Sequence, residues 1–444
     1  MKIQLISLGC DKNLSDSEKV LARFAERGYE ITDDEHEADA IVINTCCFIH
    51  DAKTESIETI LEMAELKKEN LKFLVITGCL ATRYQNEIQE EIPEVDAILT
   101  ASAIDETVDV VDALFANKLT EKKIKKDVDY DPELGNKRVF SGMKNYAYLK
   151  IAEGCDKHCT YCVIPSIKGK YRSRAFEDIL EEAQFIADSG KNEILIIAQE
   201  TTVYGQDIYG RKRLAELLEK ISEIDGIRWI RLLYCYPEEI TDELIDAMSR
   251  IDKVCKYIDM PIQHSADTVL KRMGRRTSSK DIRDVIGRLR AAMPEIAIRT
   301  SLITGFPGET EEEHAELLAF VKEMKLDRVG VFTYSKEEKT PASRMRPLIT
   351  KKIKEARREE LMLAQQEIVF AKNESLVGHR ENVIIEGYLP EDGVYIGRTF
   401  RDAPDIDGYC FVKSGRELIS GDIIEAVIEA ANGYDLLAKD VYLL

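Results

Sequence analysis

Long apolar runs are missing from this sequence. No stretch approaches the ~20 residues a membrane helix needs, and residues 2–7 already read as a strand with no signal-like segment before them. No membrane partner is expected, and the cytoplasm is the expected location. Positive charge is also short: 62 Lys and Arg stand against 82 Asp and Glu, a formal net charge of −20. That balance disfavours non-specific attraction to nucleic acid phosphates and favours a basic partner. Ten cysteines without an export signal argue against a disulfide framework, because the cytosol keeps thiols reduced, so cysteines at special positions point to metal or cluster chemistry. What is present is ordinary for a soluble globular protein, with 44% hydrophobic and 32% charged residues. The 444 residues allow about three domains.

The first segment alternates strand and helix patterns. Apolar runs at residues 2–7, 40–44, 71–77 and 95–99 read as strands, with helices ending near residue 27 and spanning 52–68 and 85–90. This is an α/β pattern with a largely parallel sheet. Cys10, Cys46 and Cys79 each follow a strand by a few residues. In a parallel sheet the strand C-termini share one edge, where open α/β sheets bind ligands, so three thiols distant in sequence converge. A lone cysteine is more often a small buried residue. Three at equivalent positions, two of them preceded by Gly9 and Gly78, favour a second metal centre. Cys47, beside Cys46, reads as a spare. The polar stretch 117–137 has the composition of a linker.

Beyond it, apolar runs at 146–152, 193–199, 228–234, 256–262, 296–304 and 328–334, with amphipathic helical patterns between them, suggest a partial (βα)6 barrel with its chemistry at the strand C-terminal mouth. GCDKHCTYC lies in the loop after the first of these strands. Its Cys155, Cys159 and Cys162 suit three corners of an iron–sulfur cube and leave a fourth open. A structural zinc site fits less well, since it needs a fourth protein ligand and His158 adjoins Cys159. From residue 376 short β-like runs broken by glycines fit a small antiparallel β-barrel carrying six Lys or Arg against thirteen Asp or Glu, with Asp402, Asp405 and Asp407 grouped in RDAPDIDG.

The spacing Cys155, Cys159, Cys162, with Tyr161 before the last cysteine, resembles the signature of the radical S-adenosyl-L-methionine enzymes. SLGCDKNLSDSE, INTCCFI and TGCLATRY ahead of that loop, and the β-module after it, resemble the methylthiotransferases of that superfamily over nearly the whole chain. The resemblance implies two 4Fe-4S clusters, one on Cys155, Cys159 and Cys162 and one on Cys10, Cys46 and Cys79. It also implies S-adenosyl-L-methionine as radical source and methyl donor, and a flavodoxin-like or ferredoxin-like electron donor. It divides the chain into an N-terminal methylthiotransferase domain (1–130), a radical SAM domain (141–375) and a TRAM-like substrate-recognition domain (376–444).

Two branches compete within the family. IPSIKGKYRSR, AQETTVYGQDIYG, LLYCYPEEITDEL and GRTFRDAPDIDG are similar to the branch that modifies an aspartate β-carbon of small-subunit ribosomal protein S twelve. The acidic terminal module also suits a basic ribosomal protein better than tRNA, whose isopentenyladenosine is the other branch's substrate. An iron–sulfur electron carrier or a zinc-bearing binding module is the non-enzyme alternative.

Other residues at the barrel mouth are weighed by position. Tyr161, Gln199, Gln263 and Gly305 are candidate cofactor contacts, although Gln199 and Gln263 equally suit capping of strand ends. GFPGET lacks the lysine of a phosphate-binding loop and reads as a turn with Thr310 capping the next helix. His264 reads as a structural histidine, Cys235 and Cys255 as core, and KGKYRSR as either an anion contact led by Arg172 and Arg174 or a solvated turn.

Overall fold

The computed structural model describes residues 1–142 and 144–443. The chain divides into two compact units, one of residues up to 142, 148–158 and 162–185, the other of residues 144–147, 159–161 and 186–443.

The first unit is built on a six-stranded sheet in the order β2-β1-β3-β4-β5-β6. Its strands are β1 (Lys2–Ser7), β2 (Glu30–Ile31), β3 (Ala40–Thr45), β4 (Phe73–Gly78), β5 (Ala97–Leu99) and β6 (Lys123–Ile124). All pairings are parallel. Successive strand residues point to opposite faces, and the apolar residues divide accordingly. Ile41, Ile43, Leu74 and Ile76 pack on one side with Ile60 of α2 (His50–Glu65), Leu80 of α3 (Cys79–Arg83) and Ile88 of α4 (Gln85–Glu91). Ala40, Val42 and Val75 pack on the other with Val20 and Phe24 of α1 (Asp11–Glu26) and Val111 of α5 (Thr107–Phe115). Burial on both faces explains why β3 is apolar along nearly its whole length.

The stretch read as a linker contains β6, which pairs with the sheet edge and packs only Ile124 against the core, too little to leave an apolar pattern. Beyond it, Asp105 accepts from Lys126 at 2.8 Å and from the Tyr130 hydroxyl at 2.9 Å, fixing the segment to the unit. The chain then forms β7 (Tyr146–Lys150) and β8 (Ala152–Glu153), which pairs antiparallel with β9 (Arg172–Ser173), and between β8 and β9 lies α6 (Ile164–Lys168).

The second unit carries β10 (Glu193–Ile197), β11 (Trp229–Leu232), β12 (Val254–Asp259), β13 (Ala297–Thr304) and β14 (Arg328–Thr333), paired in parallel. With β7 they form an open sheet in the order β14-β13-β12-β11-β10-β7, matching all six strands expected of the partial barrel. Its helices start where the sequence supplies caps: Thr241, Ser278 and Thr310 each accept an amide of the first turn, the last two in full capping boxes.

β15 (Arg380–Leu389), β16 (Val394–Thr399), β17 (Cys410–Lys413), β18 (Ile423–Asn432) and β19 (Asp435–Asp440) close a barrel in the order β15-β16-β17-β19-β18. Four pairings are antiparallel, as expected, and β17–β19 is parallel. Parity dictates this, since an odd number of strands cannot alternate direction all the way round. Glu193 of β10 binds Arg231 at 2.8 Å and Arg398 of β16 at 2.6 Å, and all three side chains are wholly buried. The grouped aspartates are likewise engaged internally: Asp402 binds Arg328, Asp405 binds Lys144 at 2.5 Å, and Asp407 accepts from the Tyr257 hydroxyl at 2.9 Å. Asp402 and Asp407 are therefore taken up by internal pairing, and the acidic surface of the module rests on exposed Asp405, Glu391, Asp392, Glu417, Glu425 and Glu429.

Candidate functional site

In the first unit Cys10, Cys46 and Cys79 sit at the C-terminal edge of the parallel sheet. Cys10 is the N-cap residue of α1 and its side chain makes no cap bond, Cys46 directly follows β3, and Cys79 opens α3 directly after β4. Their loops touch. A Cβ on Gly9 would lie 2.4 Å from the Cβ and 2.6 Å from the Sγ of Cys46, and Gly9 has φ of +86°, so only glycine lets these two loops approach so closely.

Buried hydrogen bonds hold the three loops together. Asn13 donates to the carbonyls of Leu8 at 2.9 Å and Thr45 at 3.1 Å. Asn44 donates to the carbonyl of Asn13 at 3.1 Å and to Ser17 Oγ at 3.0 Å, and Thr45 Oγ1 donates to the Thr77 carbonyl at 2.6 Å. Ser56 of α2 clasps Cys46, accepting from its amide at 3.0 Å and donating to its carbonyl at 2.9 Å. Cys46 thus faces the Gly9 loop, whereas Cys47 packs among Ile60, Ile76 and Leu80.

Burial pushes the Cys46 thiol up to about 11, with Cys10 and Cys47 adding to the rise. Burial raises Cys79 well above the ordinary thiol value, while Lys168 pulls it down. These thiols resist ionisation without a cation, and binding to iron would ionise them. Among the described residues no three His, Cys, Asp or Glu side chains stand as close as a single metal ion requires. Ligands of a cube-shaped cluster bind separate irons and stand wider apart, so a convergent set of thiols suits a cluster better than zinc.

The second cysteine set is local in sequence. Gly154 has φ of +79°, and a Cβ there would lie 2.0 Å from the Lys170 carbonyl, so the chain can enter the loop only through glycine. In the first unit the Cys155 amide donates to the Gly169 carbonyl at 3.1 Å, the Lys157 amide points at Cys155 Sγ at 3.4 Å, and the Ile164 amide points at Cys162 Sγ at 3.4 Å. Such N–H···S bonds favour thiolate. His158 is exposed. In the second unit Cys159 Sγ lies 4.0 Å from the Tyr236 hydroxyl, and Thr160 is anchored to the carbonyls of Met273 and Arg272, each at 2.8 Å.

The remaining expected residues divide. Tyr161 packs edge-on to Phe306, whose ring meets Tyr334 in the same way, within an apolar cluster that includes Ala266 and Met273. Gln199 is half-buried just beyond β10. Gln263 has φ of +69°, a conformation rare outside glycine and common at functional sites, and it bridges to β13 through its backbone. Over Gly305 lies the aliphatic chain of Lys354, with Cγ 2.3 Å from where a Cβ would stand. Thr310 caps its helix as expected.

His264 is fully buried, its Nδ1 accepts from the Ala266 amide at 3.0 Å, and burial lowers it to about 3. It is neutral near pH 7 and structural. Cys235 and Cys255 are core residues. Arg172 and Arg174 hold their own loop, donating at 2.6 Å to the carbonyls of Lys170 and Lys150, so the anion-contact reading of that pair gives way.

Sequence reasoning missed Asn13, Asn44 and Ser56 as the fasteners of the first cysteine set, and also missed Arg275. Arg275 is buried against the Tyr236 ring at 4.3 Å, donates to the Pro261 carbonyl at 2.8 Å and leaves Nε without a partner. Contacts between distant side chains leave no periodic trace, so spacing gave no signal for any of them.

Comparison with known proteins adds to this geometry. Residues 2–100 match the model described as uncharacterized protein family UPF0004, residues 149–321 the radical SAM superfamily, and residues 377–441 the TRAM domain. The chain is 57% identical to the ribosomal protein uS12 methylthiotransferase RimO of Lachnoclostridium phytofermentans, over 98% of this chain and 99% of that protein. It is 48% identical to the protein of the same name from Acetivibrio thermocellus, over 99% and 98%. Among solved structures it is similar in fold to the radical S-adenosylmethionine methyltransferase TsrM of Kitasatospora setae, with a TM-score of 0.58, 14% identity and coverage of 77% and 76%.

Proposed function

Because the chain belongs to the RimO family of ribosomal protein uS12 methylthiotransferases, we propose that it replaces a hydrogen on the β-carbon of a uS12 aspartate with a methylthio group. Membership of the radical SAM superfamily implies S-adenosyl-L-methionine and a 4Fe-4S cluster as cofactors. The observation that carries the reading lies in the first unit. There α6, which begins two residues after Cys162, packs on α3, which begins at Cys79, and Val163 and Ile167 share one apolar cluster with Cys79. The segment that follows Cys162 thus packs on the helix that opens at Cys79, which supports reading the two cysteine sets together.

Cys155, Cys159 and Cys162 hold one cluster in this proposal, and Cys10, Cys46 and Cys79 a second, with Cys46 rather than Cys47 as ligand because it faces the Gly9 loop. When bound, the first cluster supplies the electron that splits S-adenosyl-L-methionine into methionine and a 5′-deoxyadenosyl radical, and the second takes part in sulfur delivery. The chain's own residues supply position and shielding. Tyr161, Phe306 and Tyr334 form an apolar wall that keeps water from the mouth. Tyr161, Gln199, Gln263 and Gly305 are the proposed cofactor contacts, and Arg275 a fixed positive charge beside Cys159 and Tyr236.

The proposed domains are 1–130, 141–375 and 376–444. A flavodoxin-like or ferredoxin-like protein is the proposed electron donor. No helix among the described residues is long and apolar enough to cross a membrane, and the cytoplasm is the proposed location. The net charge of −20 and the exposed carboxylates of the terminal barrel disfavour direct tRNA binding and suit a basic protein substrate.

Mass spectrometry of uS12 from cells with and without this gene tests the reading. A methylthio group on a uS12 aspartate is expected only when the gene is present. Unmodified uS12 together with gene-dependent methylthiolation of tRNA would contradict it.

A further inference from the structure

Helix α2 begins at His50, just beyond Cys46 and Cys47, and carries more apolar surface than the core covers. Its inward face is Ser56, Ile60, Met63 and Ala64, all buried. Ile57 and Leu61 stand one position further round than Ser56 and Ile60, and as residues four apart they are neighbours on the helix surface. They are 40% and 49% exposed, and at the start of the helix Phe48 and Ile49 are open as well, at 47% and 38%. Single exposed apolar residues are ordinary, but large ones gathered on one short segment mark an interaction surface.

The rest of the outward face is acidic. At about 3.6 residues per turn, Asp51, Glu55, Glu58, Glu62 and Glu65 fall together on the side away from the core, and all of them are exposed. Glu65 pairs with Lys68, and the others form no ion pair among the described residues. The lysine of the helix, Lys53, is held by Tyr84, donating to its hydroxyl at 3.2 Å. An apolar stripe bordered by free carboxylates has the make-up of a protein interface with a polar rim. The sign of that rim selects the occupant. It repels nucleic acid phosphates and a second copy of this chain, whose net charge is −20, and attracts a protein rich in Lys and Arg. Proteins that neutralise ribosomal RNA phosphates are of that kind.

We infer that the outward face of α2 is a docking surface for a basic segment of uS12, with Ile57 and Leu61 as its apolar contact and Asp51, Glu55, Glu58 and Glu62 as its charged border. This rests on the uS12 reading above and deepens it. Because α2 starts at the loop of Cys46, a segment seated along the helix reaches the cysteine set that takes part in sulfur delivery in that reading.

The test compares the unaltered full chain, reconstituted with iron and sulfide, with I57S/L61S and E58Q/E62Q. Methylthiolation of purified uS12 gives KM and kcat, and the anisotropy of fluorescently labelled uS12 gives Kd at several salt concentrations. The substituted positions are exposed, where changes move stability little, and iron content checks that each variant is intact. I57S/L61S is expected to raise KM and Kd about tenfold with kcat unchanged, the pattern of lost binding rather than lost chemistry. E58Q/E62Q is expected to raise both about threefold and to flatten their dependence on salt. Unchanged KM and Kd in both variants would overturn the docking surface and leave the uS12 reading standing. An altered oligomeric state with unchanged affinity for uS12 would assign the face to a second copy and overturn it as well. Failure of the unaltered chain to methylthiolate uS12 would remove the reading and the surface together.

Discussion

Cys155, Cys159 and Cys162 fall within eight consecutive residues, whereas Cys10, Cys46 and Cys79 are spread over seventy. The first set is brought together by covalent proximity, and its loop needs only Gly154 at the entrance and a few backbone bonds to hold its shape. The second set exists only when three parallel strands are in register, and it depends on Asn13, Asn44, Thr45 and Ser56 to clasp the strand ends together. A local site tolerates loosening of the surrounding fold. A dispersed one reports every such loss, and the sheet that builds it is correspondingly rich in buried polar bonds and ion pairs.

The largest expected effect separates the two sets by chemistry. Replacing Cys155, Cys159 or Cys162 with alanine should abolish 5′-deoxyadenosine formation, with iron falling from about eight atoms per chain to about four. Retained cleavage in an anaerobic assay would erase the distinction between the sets.

Next comes Glu182, fully buried and bound by Lys19 of α1 at 2.7 Å, Arg174 at 2.6 Å and Arg138 at 3.2 Å. E182Q takes the anion from buried Lys19 and half-buried Arg174 and leaves Arg138 with Glu18 alone, and should cost about 3–5 kcal/mol in denaturant unfolding. Burial opposes ionisation of Glu182, yet Arg174, Lys19 and Arg138 outweigh it and lower the carboxyl from 4.5 to about 2. Since the folded value is the lower one, this stability is fully present above pH 4.5 and is lost as pH falls toward 2. A stability profile with a steep acid limb that flattens in E182Q would bear this out.

A smaller effect sharpens the contrast directly. N13A removes two donors from buried carbonyls and should cost about 1–3 kcal/mol, with iron lost from the dispersed set. T160A in the local loop should cost about 1 kcal/mol and leave iron unchanged. Equal iron loss in both would show that the two sets depend on the fold alike. The smallest effect is expected for C47A, a one-atom truncation in the core costing about 1 kcal/mol with iron content intact. Loss of half the iron would make Cys47 the ligand in place of Cys46.

The barrel strands and the local cysteine loop were legible because each leaves a trace along the chain: apolar runs bounded by amphipathic helices, and a fixed spacing. Cys10, Cys46 and Cys79 were legible one step further on, through the rule that parallel strands share a C-terminal edge. β6 was missed because two residues leave no alternation to read, and β19 because only Leu436 and Ala438 of its six residues are apolar and inward-facing, a pattern too brief to stand out. The partners of Asp402, Asp405 and Asp407 were invisible because Arg328, Lys144 and Tyr257 lie far away in sequence. Lys168 was read as one charge in a basic stretch, and only burial beside Asp16, Glu153 and α3 distinguishes it from the exposed Lys170.

The most direct test of the division between the two sets uses one chain with Cys10, Cys46 and Cys79 all replaced by alanine. It is reconstituted anaerobically with S-adenosyl-L-methionine, a reductant and uS12, and 5′-deoxyadenosine and methylthiolated uS12 are measured in the same sample. The account predicts continued cleavage with no methylthio group on uS12; methylthiolation at the wild-type yield would contradict it.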